Sequence, residues 1–239
     1  MSSVEQSHIQ IENALGVCNV RQDTRLLAQE TAQAVMKPVT GRALDLGTGS
    51  GYVGIFLALR GWQVDAVDVS PRALKQARRN AALNGVQMRI FRSNLFEAVE
   101  GCYDIIACNP PMRGNETEWT RLLTSTLRRV EPLANLLLRL IGPVLERKRL
   151  AFLVEMASRA RQHLHPAGRF LLVISPWEAK ALLEQVPGFV LISSRPVEGI
   201  PGLQVVTFGL ATNVGHAMAE PVSSKSQTLA VPTTIGGSS

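Results

Sequence analysis

Cysteine, aromatic residues and long apolar runs are all scarce in this chain of 239 residues. The three cysteines, at positions 18, 102 and 108, lie in no Cys-x-x-Cys or cysteine–histidine spacing. The sequence therefore predicts neither a disulfide framework nor a metal site. No apolar run reaches the roughly 18 residues that would span a bilayer, and the first residues do not resemble a signal peptide. We predict a cytoplasmic protein without a membrane partner.

The fraction of apolar residues is typical of globular proteins, and the chain has an excess of positive charge. Hydrophobic residues make up 46% of the sequence, which excludes a wholly disordered or fibrous chain. The 25 Lys and Arg residues outnumber the 19 Asp and Glu residues, giving a formal charge of +6. Such a balance is compatible with an acidic partner such as RNA, but it also fits a basic protein that has none.

Strand and helix patterns alternate along most of the chain. Helices are predicted over 23–35, 53–60, 71–84 and 151–165, and strands over 42–46, 63–67, 88–92, 103–107, 169–174, 189–194 and 204–210. This order predicts an α/β fold, a Rossmann-like and mostly parallel seven-stranded sheet with helices on both faces. Ligands of such sheets bind outside the carboxyl ends of the strands.

A basic, leucine-rich segment interrupts this alternation after the fourth strand. Within 119–150, apolar residues recur at helical spacing. The same segment has seven basic residues and two acidic residues, which gives it a net charge of +5. We predict a helical insertion over about 116–150, cut into two or three helices by Pro132 and by Gly142–Pro143. Its arginines should point outward, either as a clamp for an acidic acceptor or as a solvated face. The domain would span 1–215, followed by a disordered tail over 216–239.

The first motif is Leu-Asp-Leu-Gly-Thr-Gly-Ser-Gly at 44–51, directly after the first predicted strand. Glycines there let the backbone turn sharply and let a ligand approach closely. Gly49, Gly51 and Gly54 also spell the dinucleotide pattern G-x-G-x-x-G, which alone is a weak signal. Asp45 would repel a pyrophosphate but could accept a bond from a ligand ammonium, and Asp68 could hold both hydroxyls of a ribose. This combination favours S-adenosylmethionine as the cofactor.

The second motif, Asn109-Pro110-Pro111-Met112, follows the strand at 103–107. An Asn side-chain oxygen and a proline carbonyl can accept hydrogen bonds from the NH₂ of a planar amide or aromatic amine. They would hold its nitrogen in line with a sulfonium methyl group. The prolines stiffen the loop that presents these groups.

With both motifs in place, the chain resembles the class I S-adenosylmethionine-dependent methyltransferases that carry an Asn-Pro-Pro motif, over about 21–211. Asn19-Val-Arg-Gln-Asp-Thr-Arg-Leu-Leu27 further resembles the lead of HemK-like protein glutamine methyltransferases, above all their short archaeal and eukaryotic kind. The sequence departs from these patterns at Val20 and Gln22, where the lead usually has proline and an acidic residue. It departs again at Met112, where the family usually has an aromatic residue that stacks on the substrate.

The motifs and the resemblance together predict the site residues. The catalytic residues are Asn109 and Pro110, and the substrate-binding residues are Asn109, Pro110, Pro111 and Met112. The cofactor-binding residues are Thr24, Asp45, Gly47, Thr48, Gly49, Gly51, Asp68, Val69, Asn94, Leu95 and Asn109.

The sequence therefore predicts an N-methyltransferase. The resemblance implies that its acceptor is the side chain of a protein glutamine, as in translation release factors. The alternatives are the amine of an adenine or guanine in RNA or DNA, which the basic insertion would serve, and a small-molecule acceptor. The predicted partners are an acceptor protein or RNA. The sequence does not decide whether an activator subunit is needed. A non-catalytic scaffold is disfavoured because both motifs are intact, and a nicotinamide oxidoreductase leaves the Asn-Pro-Pro motif unexplained.

Overall fold

The computed structural model describes residues 9–34, 41–111 and 131–211, with the backbone alone for 131–143 and 145. Within these ranges lie α1 (Gln22–Gln33), β1 (Arg42–Leu46), α2 (Tyr52–Ala58), β2 (Gln63–Asp68), α3 (Pro71–Leu83), β3 (Arg89–Arg92), β4 (Tyr103–Cys108), α4 (Glu131–Ala160), β5 (Leu164–Ile174), α5 (Pro176–Gln185), β6 (Phe189–Pro196) and β7 (Gln204–Leu210). Met112, the insertion before 131 and the predicted tail at 216–239 lie outside the described residues.

The seven strands form one sheet in the order β3-β2-β1-β4-β5-β7-β6. β1 pairs in parallel with β2 and β4, and among the described strands β7 alone runs in the opposite direction to the others. The predicted Rossmann-like, mostly parallel sheet is therefore confirmed. Because the strand order reverses between β1 and β4, their carboxyl ends flank the crevice in which such folds bind ligands.

Apolar side chains cover both faces of the sheet. On one face α1 and α2 contribute residues such as Leu27, Val53 and Leu57 to a buried cluster. On the other face α4 and α5 contribute residues such as Leu153 and Met156. The sheet is thus covered on both sides, as parallel strands require, and its carboxyl edge is left for a ligand.

Local signals set the start and end of α3 as predicted. The Ser70 hydroxyl accepts a hydrogen bond from the Ala73 amide at 3.4 Å, and Pro71 occupies the first helical position. Proline suits that position because its missing N–H would have no partner inside the helix. Gly85 follows the helix with a positive φ of 65°, which glycine adopts without strain.

The predicted interruption of the insertion at Gly142–Pro143 is wrong. α4 runs without a break from Glu131 to Ala160 and includes the helix that we predicted to begin at residue 151. Proline removes one hydrogen bond from a helix interior, but its fixed φ is close to the helical value. The leucine, alanine, arginine and glutamate residues on either side favour the helix strongly enough to continue it.

The predicted start of β5 is also wrong. α4 ends at Ala160 and a short 3₁₀ turn covers Arg161–His163, so the strand begins at Leu164 instead of residue 169. Leu164 pairs with Tyr103, and the register then shifts so that Arg169 pairs with Ile105. This irregularity accommodates Pro166 and Gly168 inside the strand, where a regular ladder would not.

Among the residues that the structure describes, no helix is both long and apolar enough to cross a membrane.

Candidate active site

The glycine loop leaves the carboxyl end of β1 and is held against β2. The backbone amides of Gly47 and Thr48 both donate to the carbonyl of Val67, each at 2.9 Å. Gly47 and Gly49 have φ angles of 73° and 53°, which side chains rarely tolerate. A Cβ placed on Gly47 would meet no atom within 4 Å, so the space above this residue is open. A ligand can therefore approach the backbone of the loop, as predicted.

Asp68 joins this loop to the end of β2. Its Oδ2 accepts from the Gly49 amide at 3.0 Å, and its Oδ1 accepts from the Ser70 amide at 2.8 Å. Two backbone donors fix the carboxylate at the edge of the sheet. Val69, the next residue, is 52% exposed. Both predicted cofactor residues therefore lie beside the glycine loop.

Asp45 is buried beneath the same loop. Its Oδ2 accepts from the Thr48 hydroxyl at 2.7 Å and from the Gly54 amide at 2.9 Å. Burial raises the pKa of Asp45 to about 6, opposed by those two bonds and assisted by the negative charge of Asp68. Asp45 and Thr48, two predicted cofactor residues, thus bind each other and shape the turn from within.

The fourth predicted glycine, Gly51, faces α3. A Cβ on Gly51 would lie 3.1 Å from the Cα of Ala77, so the glycine allows α2 and α3 to pack closely. The fully buried Asn80 of α3 donates from Nδ2 to the Ser50 carbonyl at 2.8 Å. α3 therefore holds the glycine loop from behind. The packing role of Gly51 and the contact of Asn80 were not predicted.

Asn94 and Leu95 lie in the turn after β3, on the same edge of the sheet. The Asn94 amide nitrogen donates to Glu97 Oε1 at 2.9 Å, so the side-chain oxygen of Asn94 takes no part in this bond. Leu95 has a φ of 50°, and its carbonyl accepts from the Ser93 hydroxyl at 2.8 Å. A leucine with positive φ is strained, and strain of this kind is often found at binding sites.

The Asn-Pro-Pro loop follows β4. The Asn109 amide nitrogen donates to the Thr24 hydroxyl of α1 at 3.0 Å. The Thr24 hydroxyl lies 3.5 Å from Oδ1 of the buried Asp23, toward which it donates. Thr24 was predicted to bind the cofactor, whereas its contact in the structure is with Asn109. Pro110 is buried and Pro111 is exposed.

Cys108 lies between β4 and this loop. The side chain is buried, and desolvation raises the pKa of its thiol above the usual range, with further rises from the charges of Asp45 and Asp68. A protonated thiol is a poor nucleophile. The residue therefore forms part of the floor of the site and does not supply a reactive group.

Arg149 and Glu178 were not predicted to belong to the site. Arg149 of α4 donates from Nε to Glu178 Oε1 at 2.5 Å and from Nη1 to the carbonyl of Pro111. Their side chains are only 10% and 3% exposed. The prediction that the arginines of the insertion point outward is therefore wrong for Arg149, although Arg147 is exposed. Ser175-x-x-Glu178 is a recognisable helix-capping sequence, but no local pattern indicates its arginine partner.

The structure thus brings most of the predicted site residues to one edge of the sheet. The glycine loop, Asp68 and Val69 follow β1 and β2, the turn with Asn94 follows β3, and Asn109 follows β4. This edge is polar, the backbone at Gly47 is accessible to a ligand, and the Asn109 side chain is held there by Thr24 of α1.

Comparison with known proteins gives a consistent result. Residues 12–136, more than half of the 239-residue chain, match the family model described as "Methyltransferase small domain". A ribosomal RNA small subunit methyltransferase C of Alcanivorax borkumensis is 40% identical over 86 residues, which cover 35% of this chain and 26% of that protein. A release factor glutamine methyltransferase of Chlorobaculum tepidum is 45% identical over 98 residues, 37% of this chain and 33% of the relative. The chain thus spans a third or less of these two relatives.

A solved structure shares the fold over a longer stretch. The crystal structure of a ribosomal protein L11 methylase from Lactobacillus delbrueckii subsp. bulgaricus superimposes with a TM-score of 0.58 and 20% identity, covering 81% of each chain. The predicted class I methyltransferase, with S-adenosylmethionine as the methyl donor of that class, is confirmed at the level of the family. The chain belongs to the methyltransferase small domain family.

Proposed function

We propose that this protein methylates the side-chain amide nitrogen of a glutamine in an acceptor protein. The observation that carries the proposal is the orientation of Asn109. Its NH₂ group is engaged by Thr24 at 3.0 Å, so its oxygen is the group left to accept a hydrogen bond from a substrate. An oxygen presented to the crevice can accept a hydrogen bond from an incoming NH₂ group, such as that of a primary amide.

The residues around the glycine loop fit S-adenosylmethionine. The space above Gly47 is open, and Asp68 is fixed by two backbone amides where it can hold the hydroxyls of a ribose. Exposed Val69 offers an apolar surface to an adenine. When bound, S-adenosylmethionine supplies an electrophilic methyl group on a positively charged sulfur.

The chain's own residues then need only to orient the acceptor. The nitrogen lone pair of a planar amide is delocalised, and hydrogen bonds from its NH₂ to the Asn109 oxygen and the Pro110 carbonyl favour the positive charge that develops during transfer. The proton can leave late to solvent. The Cys108 thiol takes no part as a nucleophile, because burial keeps it protonated.

Two features support a protein acceptor. Arg21-Gln-Asp-Thr24 belongs to the stretch that resembles the lead of glutamine methyltransferases, and Thr24 is the residue that holds Asn109. One relative, 45% identical over 98 residues, is named a release factor glutamine methyltransferase. A translation release factor is accordingly the first acceptor to test.

The test uses radiolabelled S-adenosylmethionine and purified release factors, followed by peptide mass spectrometry for N5-methylglutamine. Asn109→Ala should lower kcat by about 10²-fold with little change in the Kd of the cofactor, the usual cost of one preorganised transition-state contact. Asn109→Asp is the matched control for size, and it should also be slow because it cannot donate to Thr24. Full activity of both variants would reject the role of Asn109. Label that appears only in nucleosides would reject the protein acceptor.

A basic groove supports RNA as the second candidate acceptor. It has a volume of about 840 Å³ and lies between α1, α2 and the end of β6. Its lining includes Tyr52, three arginines (Arg25, Arg60 and Arg195, the last paired with Glu30) and one acidic residue, Glu198. The Arg25 guanidinium lies 5.5 Å from the centre of the Tyr52 ring. Arginine and aromatic side chains together suit phosphates and bases, and Arg25 directly follows Thr24.

The RNA candidate predicts a specific salt dependence. Arg25→Gln combined with Arg60→Gln should weaken RNA binding and reduce the slope of log Kd against log salt by about two. Lys75→Gln with Lys180→Gln, two exposed positions outside the groove, is the charge-matched control. If the groove variant and the control bind RNA equally, the RNA candidate loses its support.

A further inference from the structure

We propose that Arg149 and Glu178 are positioning residues that hold the Asn-Pro-Pro loop in its active conformation; this inference rests on the proposed function. The loop needs an outside donor because Pro110 and Pro111 have no backbone N–H. Nothing in the dipeptide itself can donate a hydrogen bond to the rest of the fold. Arg149 supplies the missing donor by binding the Pro111 carbonyl.

The loop is held from both faces of the sheet. On one face Thr24 of α1 accepts from the Asn109 side chain, 3.0 Å away. On the other face Arg149 of α4 donates to the carbonyl of Pro111. Pro110, whose carbonyl is the second proposed acceptor for the substrate NH₂, lies between these two contacts. Small displacements of such groups have large effects on rate.

Glu178 gives Arg149 a rigid support. Its Oε2 accepts from the amide and the hydroxyl of Ser175, each at 2.8 Å, in a capping box at the start of α5. Its Oε1 is thereby directed toward the Nε of Arg149, at 2.5 Å. The end of β5, the start of α5, α4 and the loop are therefore joined through one buried pair.

Arginine is required at this position by geometry. One planar guanidinium binds a carboxylate through Nε and a carbonyl through Nη1, whereas a lysine ammonium is a compact donor on a flexible chain. Arg149→Lys keeps the charge but should satisfy only one of the two partners. A general charge effect and a positioning effect can be separated in this way.

The experiment compares Arg149→Lys, Arg149→Gln and Glu178→Gln with Lys180→Gln, an exposed control two residues after Glu178 in α5. Glutamine at 178 can still cap α5, because capping boxes accept Glu or Gln. We expect kcat to fall about 10-fold in Arg149→Lys and about 10²-fold in Arg149→Gln. The calorimetric Kd for S-adenosylmethionine should stay within about twofold, and Lys180→Gln should keep the parent kcat.

Hydrogen exchange without cofactor provides a second measurement. In ¹⁵N-asparagine-labelled Arg149→Gln, the side-chain NH₂ of Asn109, which donates to Thr24, should exchange about 10-fold faster, while that of Asn80, which donates to the Ser50 carbonyl, keeps its parent rate as an internal reference. Unchanged exchange at Asn109 would overturn the proposal, and so would parent kcat in both Arg149 variants. Loss of cofactor binding in parallel with kcat would also overturn it, because the pair would then support the whole fold. If the parent transfers no methyl group to protein or RNA, the proposed function fails, while the exchange measurement still tests the anchor.

Discussion

The Thr24 hydroxyl and the Asn109 amide nitrogen lie 3.0 Å apart although 85 positions separate them in the chain. The first turn of α1 thus reaches across to the loop after β4. Thr24 accepts this bond while its hydroxyl points to Asp23, which is only 4% exposed. The order of donors and acceptors decides which end of the Asn109 amide faces the crevice. A residue of the N-terminal lead therefore controls a group in the second motif.

Replacing Thr24 by valine should slow catalysis without weakening the binding of cofactor. The change removes a neutral hydrogen bond of about 1 kcal/mol, so we expect kcat to fall about fivefold to tenfold. Thr24→Ser keeps the hydroxyl and should retain most of the activity. Steady-state kinetics and calorimetry distinguish this expectation from the prediction made from sequence. If the Kd for S-adenosylmethionine rises in step with the loss of kcat, Thr24 belongs to the cofactor site.

Replacing Asp68 by alanine should weaken S-adenosylmethionine binding by about 2–3 kcal/mol, the scale of hydrogen bonds to a charged group. The change also leaves the amides of Gly49 and Ser70 without the carboxylate that they now share. Asp68→Asn can still accept one of these bonds and should give an intermediate Kd. Calorimetry on folded protein is the appropriate measurement, and an unchanged affinity would refute the role of Asp68. Tight binding of a nicotinamide cofactor by the parent would refute the choice of ligand.

Asp45 should make the stability of the fold depend on pH in the acid range. Its pKa is raised from 3.8 to about 6, so the fold favours the protonated form. The contribution of this residue to stability is therefore complete below pH 3.8 and is lost as the pH rises through about 6. A rise of the pKa from 3.8 to about 6 corresponds to roughly 3 kcal/mol. Asp45→Asn should consequently be more stable than the parent at pH 7.

The measurement is denaturant unfolding of Asp45→Asn and the parent at pH 4 and pH 7. Asparagine retains an oxygen for the Thr48 hydroxyl and the Gly54 amide, so the difference between the proteins isolates the charge. We expect the advantage of the variant to shrink toward zero at pH 4. An advantage that is equal at both pH values would mean that the Asp45 pKa is not raised.

The arginines of the insertion other than Arg149 should affect only the acceptor. Arg149 is excluded from this set because it is buried against Glu178, so the variant combines Arg128→Gln, Arg129→Gln and Arg147→Gln. If these residues form a clamp, the KM for the acceptor should rise at low salt while the Kd for cofactor stays constant. The KM of the parent should rise steeply with salt for an RNA acceptor and modestly for a protein. Unchanged kinetics at low salt would leave the segment as a solvated face.

The structural features around the candidate site that follow from the sequence are those whose signals are local. Glycines after a short apolar strand predicted an open turn, and Asp68 at the end of the next strand lies against it because neighbouring parallel strands end at one edge. The Thr24–Asn109 contact and the Arg149–Glu178 pair join residues 85 and 29 positions apart. Composition and periodicity give no information about such long-range contacts. Arg149 also lies in the run Arg147-Lys-Arg149, which reads as uniformly solvated until the fold buries one member.

The continuity of α4 escaped prediction for a different reason. A Gly-Pro pair is among the strongest local signals for a helix end, and its cost of about 3 kcal/mol is real. That cost competes with the propensity of a 30-residue helix whose last turns bury Leu153, Met156, Ala157 and Ala160. Tertiary packing of this kind cannot be weighed from a window of sequence.

The bond from Arg149 to the Pro111 carbonyl joins positions 38 apart and so closes the intervening chain at its base. The entropy of closing a loop grows only logarithmically with its length, about 0.6 kcal/mol for each doubling. Insertions and deletions between the two positions are therefore cheap, and they leave the anchor of the acceptor loop in place. In evolutionary terms, we expect this segment to be the part of the chain that can change length and charge most readily while the acceptor loop keeps its anchor.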